Sequence, residues 1–285
     1  MSDGTPVLRM TAFAADPAGG NPAGVVLDAR SLPDAQMQQI AADVGYAETA
    51  FIVKLPTPSE PTRYVMRYFS PTAEVPFCGH ATVATAVALA DRGAGEEFVF
   101  ETPAGDLVIN TTRTAAGTIA SFTSIEPQVD PIENTVRRDL MALLGINDTD
   151  LDPAYPPRLS TAGNTHPIIV LWDRSTFDTF TFEPAAMRRL MDEQGWKGTV
   201  TILHARSGAE FEARNPFPVG SMDEDPATGS AAAAVGGYLR ALGLVESPAR
   251  VTIHQGRHVG RPSVLTVDIP ATGGIVVSGT ATVIA

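Results

Sequence analysis

The chain has 285 residues, 44 % of them hydrophobic and 18 % charged, a globular balance long enough for about two domains at ~150 residues each. Its net charge of −12 excludes a nucleic-acid partner, because phosphate binding needs clustered Lys and Arg and no such cluster is present. A single cysteine, Cys78, excludes an internal disulfide and any multi-cysteine metal site.

The opening MSDGTPVLRM lacks a basic region followed by an apolar run, so no signal peptide is expected. No stretch reaches the ~18 apolar residues of a membrane span. The expectation is a cytoplasmic protein without a membrane partner.

In chain order, NPAGVVLD (21–28) reads as a strand, LPDAQMQQIAADVG (32–45) as a helix and ETAFI (48–52) as a strand. RYVMRYF (63–69) is a further strand, and CGHATVATAVAL begins a helix at a glycine. EFVF (97–100) and DLVINTT (106–112) follow as short strands. The second half runs similarly through HPIIVLWD (166–173), FEPAAMRRLMDEQG (182–195), GTVTI (198–202), EFEAR (210–214) and the glycine-initiated TGSAAAAVGGYL. It ends in RVTIHQ (250–255), VLTVDI (264–269) and IVVSGTATVI (275–284). The 23 prolines are too many for a helical bundle.

The two halves align at an offset of 150 residues: Glu74, Pro76, Gly79, Ala81, Ala84, Leu89 and Gly93 meet identical residues at 224, 226, 229, 231, 234, 239 and 243. Upstream, Thr49 and Ile52 fall on Thr199 and Ile202. The pattern predicts a duplicated α+β protein, each half a curled sheet or barrel around an Ala-rich helix. The expected division is 1–118, with 276–285 returning to it, against 119–275. Coincidental resemblance of two α+β domains is the plain alternative.

Both glycine-initiated helices start where the backbone turns tightly, so their first N–H groups lack partners and their positive ends suit an anion. Two such ends, at Gly79–His80 and Gly229–Ser230, directed at one cleft would clamp a carboxylate without Arg or Lys. Ordinary capping by Thr228 or Ser230 is the alternative.

Asymmetry between the halves singles out the chemistry. Glu48 falls opposite Gly198, Asp225 opposite Val75, His80 opposite Ser230 and Cys78 opposite Thr228. Glu48 leads into an apolar strand, where burial would let it take and give a proton near neutral pH; an exposed acid at a helix–strand junction is the other reading. Asp225 lies just upstream of the second helix, though Asp-Pro also opens turns. His80 is the second residue of its helix, where the positive end favours a neutral imidazole; a capping histidine would look the same. His254 and His258 are four apart but lie in a Gly-rich turn, a poor metal site. There is no G-x-S-x-G elbow, P-loop or G-x-G-x-x-G.

With GGNPAGVV (19–26), AETAF (47–51), RYFSPTAEVPFCGHATVATA (67–86), DPATGSAAAAVGGYL (225–239) and HQGRHVGRPS (254–263), the chain resembles the PhzF family of phenazine-biosynthesis-type isomerases, which share the diaminopimelate epimerase-like fold. The resemblance implies two pseudo-symmetric domains with the site between them, usually in a homodimer, and a small carboxylic acid as substrate. It implies proton movement in an unsaturated or amino/hydroxy acid without cofactor or metal. Carried over by motif, Glu48 is the proton carrier, with His80, Asp225 and Ser230 supporting it. Asn21, Gly79, Ala81 and Gly229 are the substrate-binding positions. Two departures stand out: Ala47 where serine often precedes the glutamate, and His254 where an acidic residue is common. The competing readings are a two-base epimerase or racemase, which Thr228 opposite Cys78 disfavours because a hydroxyl is a far weaker acid than a thiol, and a non-catalytic binder of small acids.

Overall fold

The computed structural model describes residues 4–115, 117–219 and 222–284. Two compact units form: residues up to Thr123 together with Ser278 onward, and Ser124–Val277. In chain order the first contains β1 (Leu8–Ala12), β2 (Asn21–Val26), α1 (Asp34–Val44), β3 (Glu48–Lys54), β4 (Arg63–Phe69), β5 (Glu74–Val75), α2 (Gly79–Asp91), β6 (Glu97–Thr102), β7 (Gly105–Thr114) and β8 (Gly117–Thr123). The second contains β9 (Gln128–Pro131), α3 (Asn134–Leu143), β10 (Arg158–Thr161), β11 (Thr165–Val170), α4 (Arg174–Thr179), α5 (Pro184–Glu193), β12 (Thr201–Ala205), β13 (Glu210–Arg214), β14 (Pro216–Val219), β15 (Met222–Glu224), α6 (Gly229–Ala241), β16 (Ala249–Gln255) and β17 (Ser263–Ile269). The last strand, β18 (Val276–Val283), runs back into the first unit.

In the first unit the order β1-β2-β3-β4-β6-β7-β8-β18 closes on itself, because β18 also pairs antiparallel with β1, Met10 opposite Val283. Closure leaves no free edge in this barrel. Strand β4 shows how the sequence makes it. Tyr64, Met66 and Tyr68 alternate inward, while Arg67 faces out and pairs with Asp34 and Glu74. Helix α2 has no polar face, and every residue from His80 to Ala90 is buried. Such a helix belongs inside a core, and α2 touches β1, β2, β3, β7 and β8.

The second unit repeats the plan. β2–β3, β3–β4, β4–β6 and β6–β7 are parallel, antiparallel, parallel and antiparallel; β11–β12, β12–β13, β13–β16 and β16–β17 follow the same sequence. Helix α6, of the same length as α2, touches β17 at one end of its sheet and β9, β10 and β11 at the other, so the sheet curls around it. Small residues allow this approach. A Cβ on Gly237 would lie 2.4 Å from the Pro127 ring, and one on Gly236 2.7 Å from Ile275. The helix-ending glycines repeat too: Gly45 and Gly195, and Gly93 and Gly243, all adopt left-handed backbone at the 150-residue offset.

A separate core lies under α3 and α5, where Leu140, Met141, Met187, Leu190 and Trp196 are buried together. Among the described residues no helix is long and apolar enough to cross a membrane.

Candidate active site

Glu48 is the first residue of β3, paired with Ala23 of β2, and the buried run from Thr49 to Ile52 fixes its place. Across the barrel interior, Cys78 is the N-cap of α2 and His80 its second residue. The Cys78 thiol donates to Glu48 Oε2 at 3.4 Å and lies 3.4 and 3.6 Å from His80 Nδ1 and Nε2. His80 Nε2 is itself 3.4 Å from the same carboxylate oxygen. Cys78 and His80 are buried, whereas the Glu48 side chain keeps 18 % of its surface open.

The start of α2 is held from below. Thr82 Oγ1 donates to the Cys78 carbonyl at 2.8 Å, so the buried Tyr68 hydroxyl, 2.7 Å away, donates to Thr82. His80 also bonds the Pro22 backbone, and since proline offers only a carbonyl, the ring N–H is the donor. Burial depresses the His80 pKa to about 4, against a smaller upward pull from Pro22. The sequence points to the positive helix end as the cause; in the structure burial is the largest. Either way the imidazole is neutral at pH 7, and its contact with Glu48 is not an ion pair there. Asn21, at the start of β2, and Ala81, beside His80, are both buried; Gly79 opens α2.

In the second unit, Thr228 caps α6 as Cys78 caps α2. Neither side chain makes a capping bond to its helix backbone. Each turns to a carboxylate instead: Cys78 to Glu48, and Thr228 Oγ1 to Asp225 Oδ2 at 2.5 Å. Capping by the Thr228 hydroxyl is therefore not what the structure shows. Gln255, at the end of β16, pins the turn. Its amide N donates to the Asp225 carbonyl at 2.7 Å and to Thr228 Oγ1 at 3.0 Å, and its oxygen accepts from the Thr228 N–H at 3.1 Å. The following Gly256 has φ +80, and a Cβ there would sit 2.5 Å from the Pro226 carbonyl, which explains why glycine follows this glutamine.

Ser230, the second residue of α6, has a partner that sequence reasoning missed. Its hydroxyl lies 3.1 Å from Nε2 of His166, a fully buried residue on β11. His166 Nδ1 is 3.0 Å from the Thr199 carbonyl, which can only accept, so the proton sits on Nδ1. Burial lowers the His166 pKa to about 4, so Nε2 is a bare acceptor at pH 7 and Ser230 donates to it. The Ser230 oxygen then has its lone pairs available to accept. The available signal was positional: His166 aligns with Asn21 at an offset of 145, one strand away from Gly198, the counterpart of Glu48.

Of the two histidines in the Gly-rich turn, His258 Nε2 meets Asp178 at 3.0 Å. The grouping of metal-capable side chains found among the described residues is Glu48, Cys78 and His80.

A family model described as PhzC-PhzF, phenazine biosynthesis-like protein, matches residues 10–285. An uncharacterized isomerase, YddE, of Salmonella typhimurium is 32 % identical over 93 % of this chain and 90 % of its own length. The trans-2,3-dihydro-3-hydroxyanthranilate isomerase of Pseudomonas fluorescens is 30 % identical over 89 % of this chain and 86 % of its own. The crystal structure of a Bacillus anthracis phenazine biosynthesis protein of the PhzF family matches with a TM-score of 0.83 at 26 % identity, covering 98 % of this chain and 96 % of that one. A probable proline racemase from Agrobacterium radiobacter matches at TM-score 0.65 and 11 % identity, a likeness of fold alone.

Proposed function

The chain belongs to the PhzC-PhzF family of phenazine biosynthesis-like proteins and is a small-molecule isomerase, and on that footing we infer that Glu48 is the group that carries the proton. The observation that supports this reading most is the asymmetry at matched positions. The first unit places a part-exposed carboxylate beside a buried neutral imidazole, and the second has Gly198 in its place. A structural element has no use for that difference.

In the proposed reaction Glu48 removes a proton from a carbon next to an unsaturated bond of a small carboxylic acid. The electron pair shifts along the π system, and the carboxylic acid so formed on Glu48, whose proton exchanges with solvent while it is held there, delivers a proton to a second carbon. Atoms and charge balance without cofactor or metal. Neutral His80 supports Glu48 without fixing it as a permanent ion-pair partner. Asp225 and Ser230 are supporting groups, and Asn21, Gly79, Ala81 and Gly229 are substrate-binding positions, the glycines lending helix-start N–H groups to the substrate carboxylate. The substrate class is an unsaturated or amino/hydroxy acid; trans-2,3-dihydro-3-hydroxyanthranilate, the substrate in the Pseudomonas relative's name, is one member to try. The working form is a cytoplasmic homodimer.

The decisive experiment follows solvent deuterium into candidate acids with the wild-type protein and with Glu48→Gln. Label entering on one face, and lost in the variant, supports the reading. Label entering on opposite faces requires two bases and would sink it.

A further inference from the structure

We propose that Glu48, Cys78 and His80 form a three-ligand site for a divalent cation of the zinc class, and that filling it silences the enzyme by withdrawing Glu48 from proton transfer. The site is a closed triangle of three different donors. Its edges are 3.4 Å from Nε2 to Oε2, 3.6 Å from Sγ to Nε2 and 3.4 Å from Sγ to Oε2. Zinc bonds of ~2.3 Å to sulfur, ~2.05 Å to imidazole nitrogen and ~2.1 Å to carboxylate oxygen, set at tetrahedral angles, require edges of about 3.4 Å between N and O and about 3.6 Å from S to either. The edges therefore match those of a zinc coordination face within about 0.2 Å, and because Sγ lies over the imidazole face, 3.4 Å from Nδ1 and 3.6 Å from Nε2, the ring turns to aim a nitrogen lone pair at the ion.

Donor chemistry narrows the ion. One thiol, one imidazole and one carboxylate suit zinc or cobalt, whereas magnesium and calcium need a shell of oxygens. Glu48 is the most open of the three, leaving the ion a way in and a fourth position for water or a substrate oxygen. On binding, the Cys78 thiol loses its proton to solvent and the sulfur becomes a thiolate ligand. A resident metal would occupy the carboxylate lone pairs that proton transfer uses, so the ion is an inhibitor, not a cofactor.

Binding stands on the geometry alone; inhibition rests on Glu48 carrying the proton. The two are separable because Cys78 is the chain's single cysteine, so any thiolate-to-cobalt charge-transfer absorption reports this site. The experiment titrates purified, metal-free protein with Co2+ and follows turnover in parallel. The expected result is charge-transfer and tetrahedral d–d absorption that saturate at one equivalent and are bleached by Zn2+. Charge transfer vanishes in Cys78→Ser, and affinity falls at least about tenfold in both Glu48→Gln and His80→Asn. Turnover falls with occupancy and returns on chelation. A natively folded wild-type protein with no charge transfer at stoichiometric Co2+ would overturn the proposal, whatever the variants do. Undiminished affinity in Glu48→Gln and His80→Asn would reduce the site to a lone thiol and overturn it too. Three-ligand binding with full turnover would keep the metal site and overturn both the inhibition and the role of Glu48.

Discussion

The ring of His166 fills the space that a side chain at Gly198 would need: a Cβ there would lie 2.5 Å from the ring. In the first unit the matched position carries Glu48. Where the first unit has a carboxylate, the second thus has a glycine with a buried imidazole packed against it, and that imidazole accepts from a serine hydroxyl. Gly198→Ala is expected to push His166 off Ser230 and to cost about 1–3 kcal/mol of stability, as overpacking does. Urea unfolding measures it; a cost below about 0.5 kcal/mol would mean the ring moves aside freely.

Glu48→Gln should lower turnover by at least ~10²–10⁴-fold while substrate binding persists. Glutamine keeps the shape and an acceptor but cannot carry a proton. Steady-state rates together with calorimetric binding separate the two effects, and a near-normal rate would shift the role to Asp225 or His80.

Cys78→Ser, by contrast, is expected to keep activity within about tenfold. Serine still donates to Glu48, and Thr228 at the matched cap supplies no second thiol. A loss as deep as that of Glu48→Gln in folded protein would revive thiol chemistry.

Acid should destabilise the protein in a defined window. In the unfolded chain His166 takes a proton at its ordinary value of 6.5; in the folded protein burial lowers this to about 4. The unfolded state therefore binds more protons between these values. The contribution is complete above pH 6.5, declines as pH falls toward 4, and is gone below that. Its size is on the order of 3 kcal/mol. Denaturation midpoints from pH 7 to 4 should show this slope, flattened in His166→Gln.

Gln255→Leu removes three bonds around Asp225 and Thr228 at once. About 1–3 kcal/mol of stability should go with it, because the buried Thr228 N–H loses its acceptor. Turnover should fall further than stability explains if Asp225 supports the reaction. Comparing rates in temperature-matched folded samples tests that point.

Much of this was legible in the sequence because it is local. The glycine before each Ala-rich run marks both helix starts, alternation marks β4 and β17, and the 150-residue offset reveals the repeated pairing order. Glu48 stood out through its mismatch with Gly198. What was not legible depends on contacts remote in sequence. His166 meets partners 33 and 64 residues away, and Gln255 reaches back 27 and 30 residues to its turn. Helix α3 gives little local signal although NTVRRDLMAL is amphipathic, since it buries only Leu140 and Met141 and has no glycine or proline at its start. Likewise the cause of the His80 shift needs the enclosing barrel, which no local pattern supplies.

The barrel that encloses His80 is sewn shut by a strand far away in sequence. β1 finds its second neighbour only when β18 arrives, Ala12 against Ala281 and Met10 against Val283. During synthesis the N-terminal unit must therefore wait, with β1 and β8 unpaired on their outer edges, until β18, which follows the entire C-terminal unit, has left the ribosome. The C-terminal unit, whose strands β9 to β17 are contiguous in sequence, is free to fold first. Completion of the first barrel thus waits on the second unit, and a chain that stops short of β18 would leave the edges of β1, β8 and β17 open, the usual seeds of aggregation.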